Sequence, residues 1–356
     1  MADSSVPRQN RIFERNKESM KKLHFSREGK FRITVISDVH WDDCRQQPSA
    51  EEALRRRQEK IVRGLDALLA WAEPDLVILG GDQGLGADTA EGMHREMERL
   101  LAPVLERGLP WAAIFGEQDG REGRNLAEEQ RVYEEIPGCM STAGPEELPG
   151  VGNFCIEICS SRDDGVAYHI WGLDTLSEAG MDYVRYLGLP ADTQFVLPRP
   201  FFTGSGQAGL TPEQVFWYYQ ESEQRERAAG RKIPGLMFLH HPLPEFCAPV
   251  WNPKECYVWR RLSEENIGVS ELNAGMFMAC LERGDVKGIF CGHDHNNGFE
   301  SVYCGMRLAY NGAMGCGLED LSQSMWGGRV IDIAEDGNFT TQYVPLMSLM
   351  GREEMM

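Results

Sequence analysis

Seven side chains able to bind a cation stand just after short apolar runs: Asp38-x-His40, Asp82, Glu117, His240 and His293-x-His295. Several carboxylates brought to one place repel one another and rise in pKa. Divalent cations remove that conflict, and imidazole with carboxylate is a ligand mix for Mn, Fe or Zn. D-x-H and H-x-H place alternate side chains on one side of an extended segment, so both members of each pair can reach one cluster. Asp82, preceded by Gly80-Gly81, can bridge two ions through its two oxygens. The count suits a pair of ions about 3.5–4 Å apart, a geometry that activates water against a phosphorus centre.

For these residues to meet, the segments before them must be neighbouring strands. Phe31–Ser37 (FRITVIS), Leu76–Leu79 (LVIL), Trp111–Phe115 (WAAIF), Gly235–Leu239 and Val286–Cys291 are apolar, β-branched or aromatic runs that stop at glycine or at the polar motif. Between the first three lie helical patterns, one through Leu54, Ile61, Leu65, Leu68 and Leu69, the other over about Glu91–Arg107. Strand and helix alternating in this way implies parallel βαβ units. The carboxyl ends of such strands line a common crevice where ligands bind.

Further on, Asn153–Cys159 and Val166–Leu173 read as adjacent strands, and Thr211-Pro212-Glu213-Gln214 opens a capped helix that Gly230 closes. A helix over about Asn273–Glu282 and strands at Arg307–Tyr310, Arg329–Ile333 and Phe339–Val344 complete the reading. The expected organisation is a charged lead-in over 1–28, a single two- or three-layered α/β domain over 29–347 with a Gly/Pro-rich surface insertion at 177–210, and a tail at 348–356.

Composition narrows the function classes. The chain has 356 residues, 36 Lys+Arg against 55 Asp+Glu, and a formal charge of -19. That acidity argues against a nucleic-acid partner, which needs a basic face, and against docking on an anionic membrane. No apolar run approaches the ~20 residues of a spanning helix. The polar N-terminus has no signal-type apolar region, and ten cysteines without a C-x-x-C pair read as buried thiols of a reducing compartment. The expected location is cytoplasmic.

DVH, GGD, G-x-x-D, HHP and GHDH, in this order over about residues 31–345, resemble the calcineurin-like metallophosphoesterase superfamily. The stretches HHPLPEF, LTPEQVFWY and LERGDVKGIFCGHDHNNGF look most like its purple-acid-phosphatase-related cytoplasmic branch, which carries D-x-H in place of a tyrosine ligand. The resemblance implies a β-sandwich of mixed sheets flanked by helices. It implies that Asp38, His40 and His295 hold one metal, His240 and His293 the other, and that Asp82 bridges.

The family's third motif is G-N-H-D or G-N-H-E, whereas this chain has Gly116-Glu117-Gln118-Asp119. Glu117 can replace the asparagine as a ligand, at the cost of an added negative charge. Gln118 can hydrogen-bond a phosphate oxygen but cannot donate a proton. His241 is the residue placed to act as a substitute acid, and Asp119 to orient a ligand. The resulting expectation is a phosphoesterase with two transition-metal ions. It would hydrolyse small phosphomonoesters through a metal-bound hydroxide with weakened acid assistance. The alternatives are a phosphodiesterase on nucleotide-like substrates or a metal-binding scaffold without turnover.

Overall fold

The computed structural model of the chain describes residues 22–42, 51–120, 125–176, 209–251, 256–259, 267–270, 273–315 and 326–351. The expected surface insertion at 177–210 lies almost wholly outside them, as do most of the lead-in and of the tail.

Strands β1 (Leu23–His24), β2 (Lys30–Ile36) and β3 (Leu76–Gly80) come first, with helix α1 (Glu51–Ala72) between the last two. Helices α2 (Ala90–Leu100) and α3 (Ala102–Glu106) lead to β4 (Trp111–Ile114), and α4 (Leu126–Glu135) follows. Next are β5 (Phe154–Cys159), β6 (Val166–Gly172), α5 (Pro212–Ala229), β7 (Gly235–Phe238), the short α6 (Ala248–Trp251) and β8 (Cys256–Val258). Helix α7 (Met276–Arg283), β9 (Val286–Cys291), β10 (Phe299–Tyr303), β11 (Met306–Tyr310), β12 (Gly327–Ala334) and β13 (Phe339–Pro345) close the fold.

Two mixed sheets result among the described residues. One has the order β1-β5-β6-β7-β9-β11-β10-β8, the other β13-β12-β2-β3-β4. β2, β3 and β4 are parallel to one another, as are β6, β7, β9 and β11. Strand alternation sorts the side chains into three interior layers. Leu76, Ile78, Ala112 and Ile114 face inward to meet Ile156, Ile170, Leu236, Phe238 and Phe290 of the other sheet. Val77 and Leu79 face outward onto Leu65, Leu68 and Leu69 of α1. Trp171, Met237 and Ile289 pack on Tyr218 of α5 and on Phe277 and Cys280 of α7. The molecule is therefore helix, sheet, sheet, helix: four layers, where the sequence pattern suggested two or three.

Local chemistry explains the element ends. Thr211 and Gln214 form the reciprocal capping box of α5, which satisfies two helix-terminal N–H groups, and Gly230 closes the helix at φ 67°. The long helix expected near Glu91–Arg107 is two helices, because α3 restarts with a proline in its first turn, a residue that has no N–H to continue the preceding ladder. Leu23–His24 pairs with Ile158–Cys159, so the sheet begins ahead of residue 29. Eight of the cysteines are among the described residues and all eight are free thiols.

Helix α5 is fixed to the second sheet by a buried polar cluster. Asp285, at the entrance to β9, accepts from Tyr218 Oη at 2.5 Å and from Ser222 Oγ at 2.7 Å. Removing the phenol leaves a buried carboxylate oxygen short of a donor. Tyr218→Phe is expected to lower unfolding stability by about 1–3 kcal/mol, read from the urea midpoint at unchanged slope.

Candidate metal centre

All seven expected side chains meet at one end of the sandwich. β2 runs into Asp38 and His40, β3 into Asp82 and β4 into Glu117; from the other sheet β7 runs into His240 and His241, and β9 into His293 and His295. The loops after β2 and β3 remain joined beyond the strands: Asp38 N–H donates to Gly81 O at 3.0 Å, His40 to Asp82 O at 3.0 Å and Trp41 to Gln83 O at 2.8 Å. That ladder sets the two loops in register.

Asp38, His40 and His295 offer donor atoms within 4.8 Å of one another, and so do Glu117, His240 and His293. Asp38, Asp82 and His240 form a third such group that links the first two. Asp82 Oδ2 lies 3.5 Å from Nε2 of His40 and 3.5 Å from Nε2 of His240, between the clusters. Glu117 Oε2 is 2.9 Å from His240 Nε2, and its Oε1 is 3.0 Å from His293 Nδ1.

Two features fit a pair of cations. Nε2 of His40 and Nε2 of His295 face each other at 3.0 Å, close enough to share one proton or to turn both lone pairs towards one cation. Asp82 Oδ2 is buried without a hydrogen-bond partner, which is costly for a group this polar. His240 Nδ1 lies 2.9 Å from Gly80 O; donating there directs the Nε2 lone pair into the site. A nitrogen, oxygen-rich donor set of this kind suits Mn, Fe or Zn.

The backbone is strained to achieve this. Asp38, His40, Asp82 and His293 all have positive φ, between 47° and 68°, a conformation costing of order 1–3 kcal/mol for such residues and concentrated at functional sites. Asp119 holds the strained turns: its Oδ2 accepts from Asp82 N–H at 3.0 Å and Gly116 N–H at 2.9 Å, and its Oδ1 from Gly84 N–H at 2.9 Å. Burial and the nearby Glu129 and Asp82 push the Asp119 carboxyl well above its ordinary pKa, while the Gly116 and Gly84 N–H groups pull it back.

Electrostatics follow from the crowding. Burial disfavours charge on Asp38, yet His295, His240 and His40 bring its pKa down to about 2. Burial likewise opposes ionisation of Glu117, but His240 and His293 hold it well below the usual range. His240 is the mirror case, with burial outweighed by Asp82 and Glu117, so its pKa is raised well above the ordinary value. His241 differs: burial and the adjacent His293 push it well below. Its ring packs on His293 at 4.2 Å between centroids, and Nε2 lies 3.3 Å from Glu117 Oε2.

Residues 31–297 match the calcineurin-like phosphoesterase family over most of the chain. The chain belongs to that family. "Probable inactive purple acid phosphatase 14" of Arabidopsis thaliana is 26% identical over 320 residues, which is 87% of this chain and 76% of that protein. "Probable inactive purple acid phosphatase 29" of the same plant is 24% identical, over 89% of this chain and 80% of its own. Among solved structures, a dimetal phosphatase from Danio rerio aligns over 87% of this chain and 98% of its own, with 13% identity and a TM-score of 0.47.

Within this family fold, Gln118 meets the site through its main chain: its N–H donates to Asp82 Oδ1 at 2.7 Å, where the sequence pointed to the side-chain amide. Other contributors were not singled out in the sequence. Arg57 of α1 is buried and donates to His40 O at 2.5 Å and Val39 O at 3.2 Å; the run LRRRQ does not distinguish it from its exposed neighbours. Asp294, between two expected ligands, accepts from Tyr310 Oη at 2.5 Å and from Gly268 N–H with both oxygens at 3.0 Å. Its place inside H-D-H was the available signal. Thr175 Oγ1 lies 3.0 Å from His241 Nδ1.

The glycines before the motifs leave no room for a side chain. A Cβ on Gly81, at φ +98°, would lie 2.1 Å from His240 Nδ1, and one on Gly116 would lie 2.3 Å from Asp82 Oδ1. Gly81→Ala is expected to displace His240 and lower bound metal by at least one equivalent, measured by elemental analysis after dialysis. Retention of the full complement would contradict the packing described here.

Protons compete with cations for His240, and its raised pKa in the metal-free site extends that competition above the ordinary histidine range. Metal uptake should therefore release protons, and apparent affinity should rise with pH, the excess falling away once His240 is already neutral. Calorimetric titration in buffers of different ionisation enthalpy, at about pH 6 and about pH 8, measures both quantities.

Proposed function

We propose that this family member is a binuclear-metal phosphoesterase acting on small phosphomonoesters, with weak proton assistance to the leaving group. The observation that carries the reading is the pairing of two donor clusters about the unpartnered Asp82 oxygen. On this reading Asp38, His40 and His295 would hold one ion and Glu117, His240 and His293 the other, with Asp82 placed between them. Divalent cations in such a site supply Lewis acidity, neutralising phosphoryl oxygens and acidifying a water molecule.

The chain's own residues set the character of the reaction. Glu117 adds a negative charge beside the place a phosphate dianion must enter, weakening its binding. Gln118 has no proton to give. Thr175 Oγ1 accepts the main-chain N–H of His241 at 3.2 Å and can donate its own hydroxyl hydrogen to His241 Nδ1, 3.0 Å away. That arrangement leaves the imidazole proton on Nε2, the nitrogen facing the site. With its pKa held well below the usual value, His241 is a neutral hydrogen-bond donor to a leaving oxygen rather than a strong acid. Small monoesters are favoured over nucleic acid because a chain of net charge -19 has little to hold a polyanionic polymer. A phosphodiester of nucleotide size is the nearest alternative substrate.

A second reading, a metal-bearing scaffold without turnover, is favoured by one observation: Glu117 is engaged by His240, His241 and His293 together. Turnover of an aryl phosphate with added Mn²⁺, against a metal-stripped control, separates the two. Under the enzyme reading, aryl esters should exceed alkyl esters by about 10²–10⁴, the usual worth of a general acid. Gln118→His should raise alkyl-ester turnover and narrow that gap. Full metal occupancy with no hydrolysis of either ester selects the scaffold.

A further inference from the structure

We propose that the far end of the sandwich carries a second anion site, suited to a small ligand bearing two or more phosphate-type charges. A cavity of about 560 Å³ opens there, within the range of roughly 300–1,000 Å³ of small-molecule pockets. Its cations come from the entrances to three parallel strands: Arg231 and Lys232 ahead of β7, Lys287 in β9 and Arg307 in β11. β7 and β9 lead away from it to His240 and His293, so the cavity and the metal centre are separated by about 15–20 Å of strand.

Three of these cations are answered only by main-chain carbonyls. Lys232 Nζ donates to Arg283 O, Lys287 Nζ to Gly284 O at 2.9 Å, and Arg231 Nη2 to Val166 O at 3.1 Å. The two lysines thus reach successive carbonyls at the end of α7, which leaves each ammonium with further N–H donors. Closing a helix C-terminus accounts for the lysines alone; it does not account for Arg231, which bonds to β6. Among the described residues none of the three forms an ion pair with a carboxylate.

The carboxylates of the wall accept from neutral donors, which orient them and leave their charge in place. Asp285 accepts from Tyr218 and Ser222. Asp336 accepts from Asn338 N at 2.9 Å and Nδ2 at 3.0 Å, and Glu335 from Ser161 N at 3.2 Å. Arg307, paired with Glu300 at 2.8 Å, lies over the Phe339 ring at 5.8 Å. Phe339 and Pro234 add apolar surface to the lining. Two ammoniums and a guanidinium converging on one concavity suit phosphate oxygens, which accept several charge-assisted hydrogen bonds at once. Four cations against three carboxylates make this lining less negative than the chain as a whole, with its 36 Lys+Arg against 55 Asp+Glu, so an anion is opposed less here than elsewhere.

The test is calorimetric titration of the full, Mn²⁺-loaded chain with methylenediphosphonate, whose P–C–P bridge resists hydrolysis. Wild type should show one binding event more than the Lys232→Ala/Lys287→Ala variant, and Arg231→Ala should weaken that event by about tenfold, as expected for a charge-assisted contact. Both lysines and Arg231 are exposed, so melting temperatures should match wild type. The metal centre's own affinity for the probe is common to all three proteins, so failure here leaves the phosphoesterase reading untouched. A parallel titration with adenosine diphosphate distinguishes ligands: tighter binding than the diphosphonate identifies a nucleotide-like occupant of the Phe339 wall, and equal binding a simple polyphosphate. Identical isotherms in wild type and both variants overturn the proposal.

Discussion

Three carboxylates, Asp38, Asp82 and Glu117, are gathered with four imidazoles in a space from which water is largely excluded. Unscreened, that concentration of like charge is a liability for the fold. Opposite charge, from protonated histidine or from bound cations, has to balance it. The surrounding architecture serves to keep these groups together despite their repulsion: two sheets end in the same place, the β2 and β3 loops are joined past their strands, and Asp119 ties three main-chain amides. Strain at Asp38, His40, Asp82 and His293 is sustained because each turn is held from more than one side.

The same constraint explains the glycines. Gly81, Gly116 and Gly292 are the points where one strand's loop passes against another strand's ligand; a Cβ on Gly292 would lie 2.1 Å from Ser37 Oγ and 2.7 Å from Asp38 Oδ2. Loops from two different sheets can approach this closely only where one of them has no side chain. The sandwich arrangement and the site chemistry are thus linked at particular residues. Substituting any of these glycines acts on a ligand borne by another strand.

The site was legible because chemistry imposes itself on residue type: carboxylate and imidazole at successive strand ends are hard to explain otherwise. Strands β3 and β4 were legible from their apolar runs, and α5 from its capping box. The stacking of two sheets was not. LVIL is apolar on both faces, so the sequence of β3 does not say whether its second face meets a helix or another sheet. Leu23–His24 is too short to show any period. Arg57 and Thr175 act through contacts with segments far from them in sequence, at His40 and His241, and no local pattern marks such a residue.

The most consequential departure from the family pattern lies at a single pair of positions, and its two halves pull in different directions. Glu117 for asparagine keeps an oxygen donor and adds charge, which favours a cation and disfavours a phosphate. Gln118 for histidine keeps the turn, since the contact at this position is a main-chain N–H to Asp82, and removes a proton source. With both changes in place the donor clusters are still assembled, so a site able to hold cations does not by itself imply turnover. His241 is where they meet again. It is buried against His293, oriented by Thr175 and directed beside Glu117. A neutral imidazole there stabilises a departing oxygen that already carries charge well and helps little with one that must be protonated. On the proposed phosphoesterase reading, the character of the leaving group, more than the affinity for metal, would govern what this centre hydrolyses.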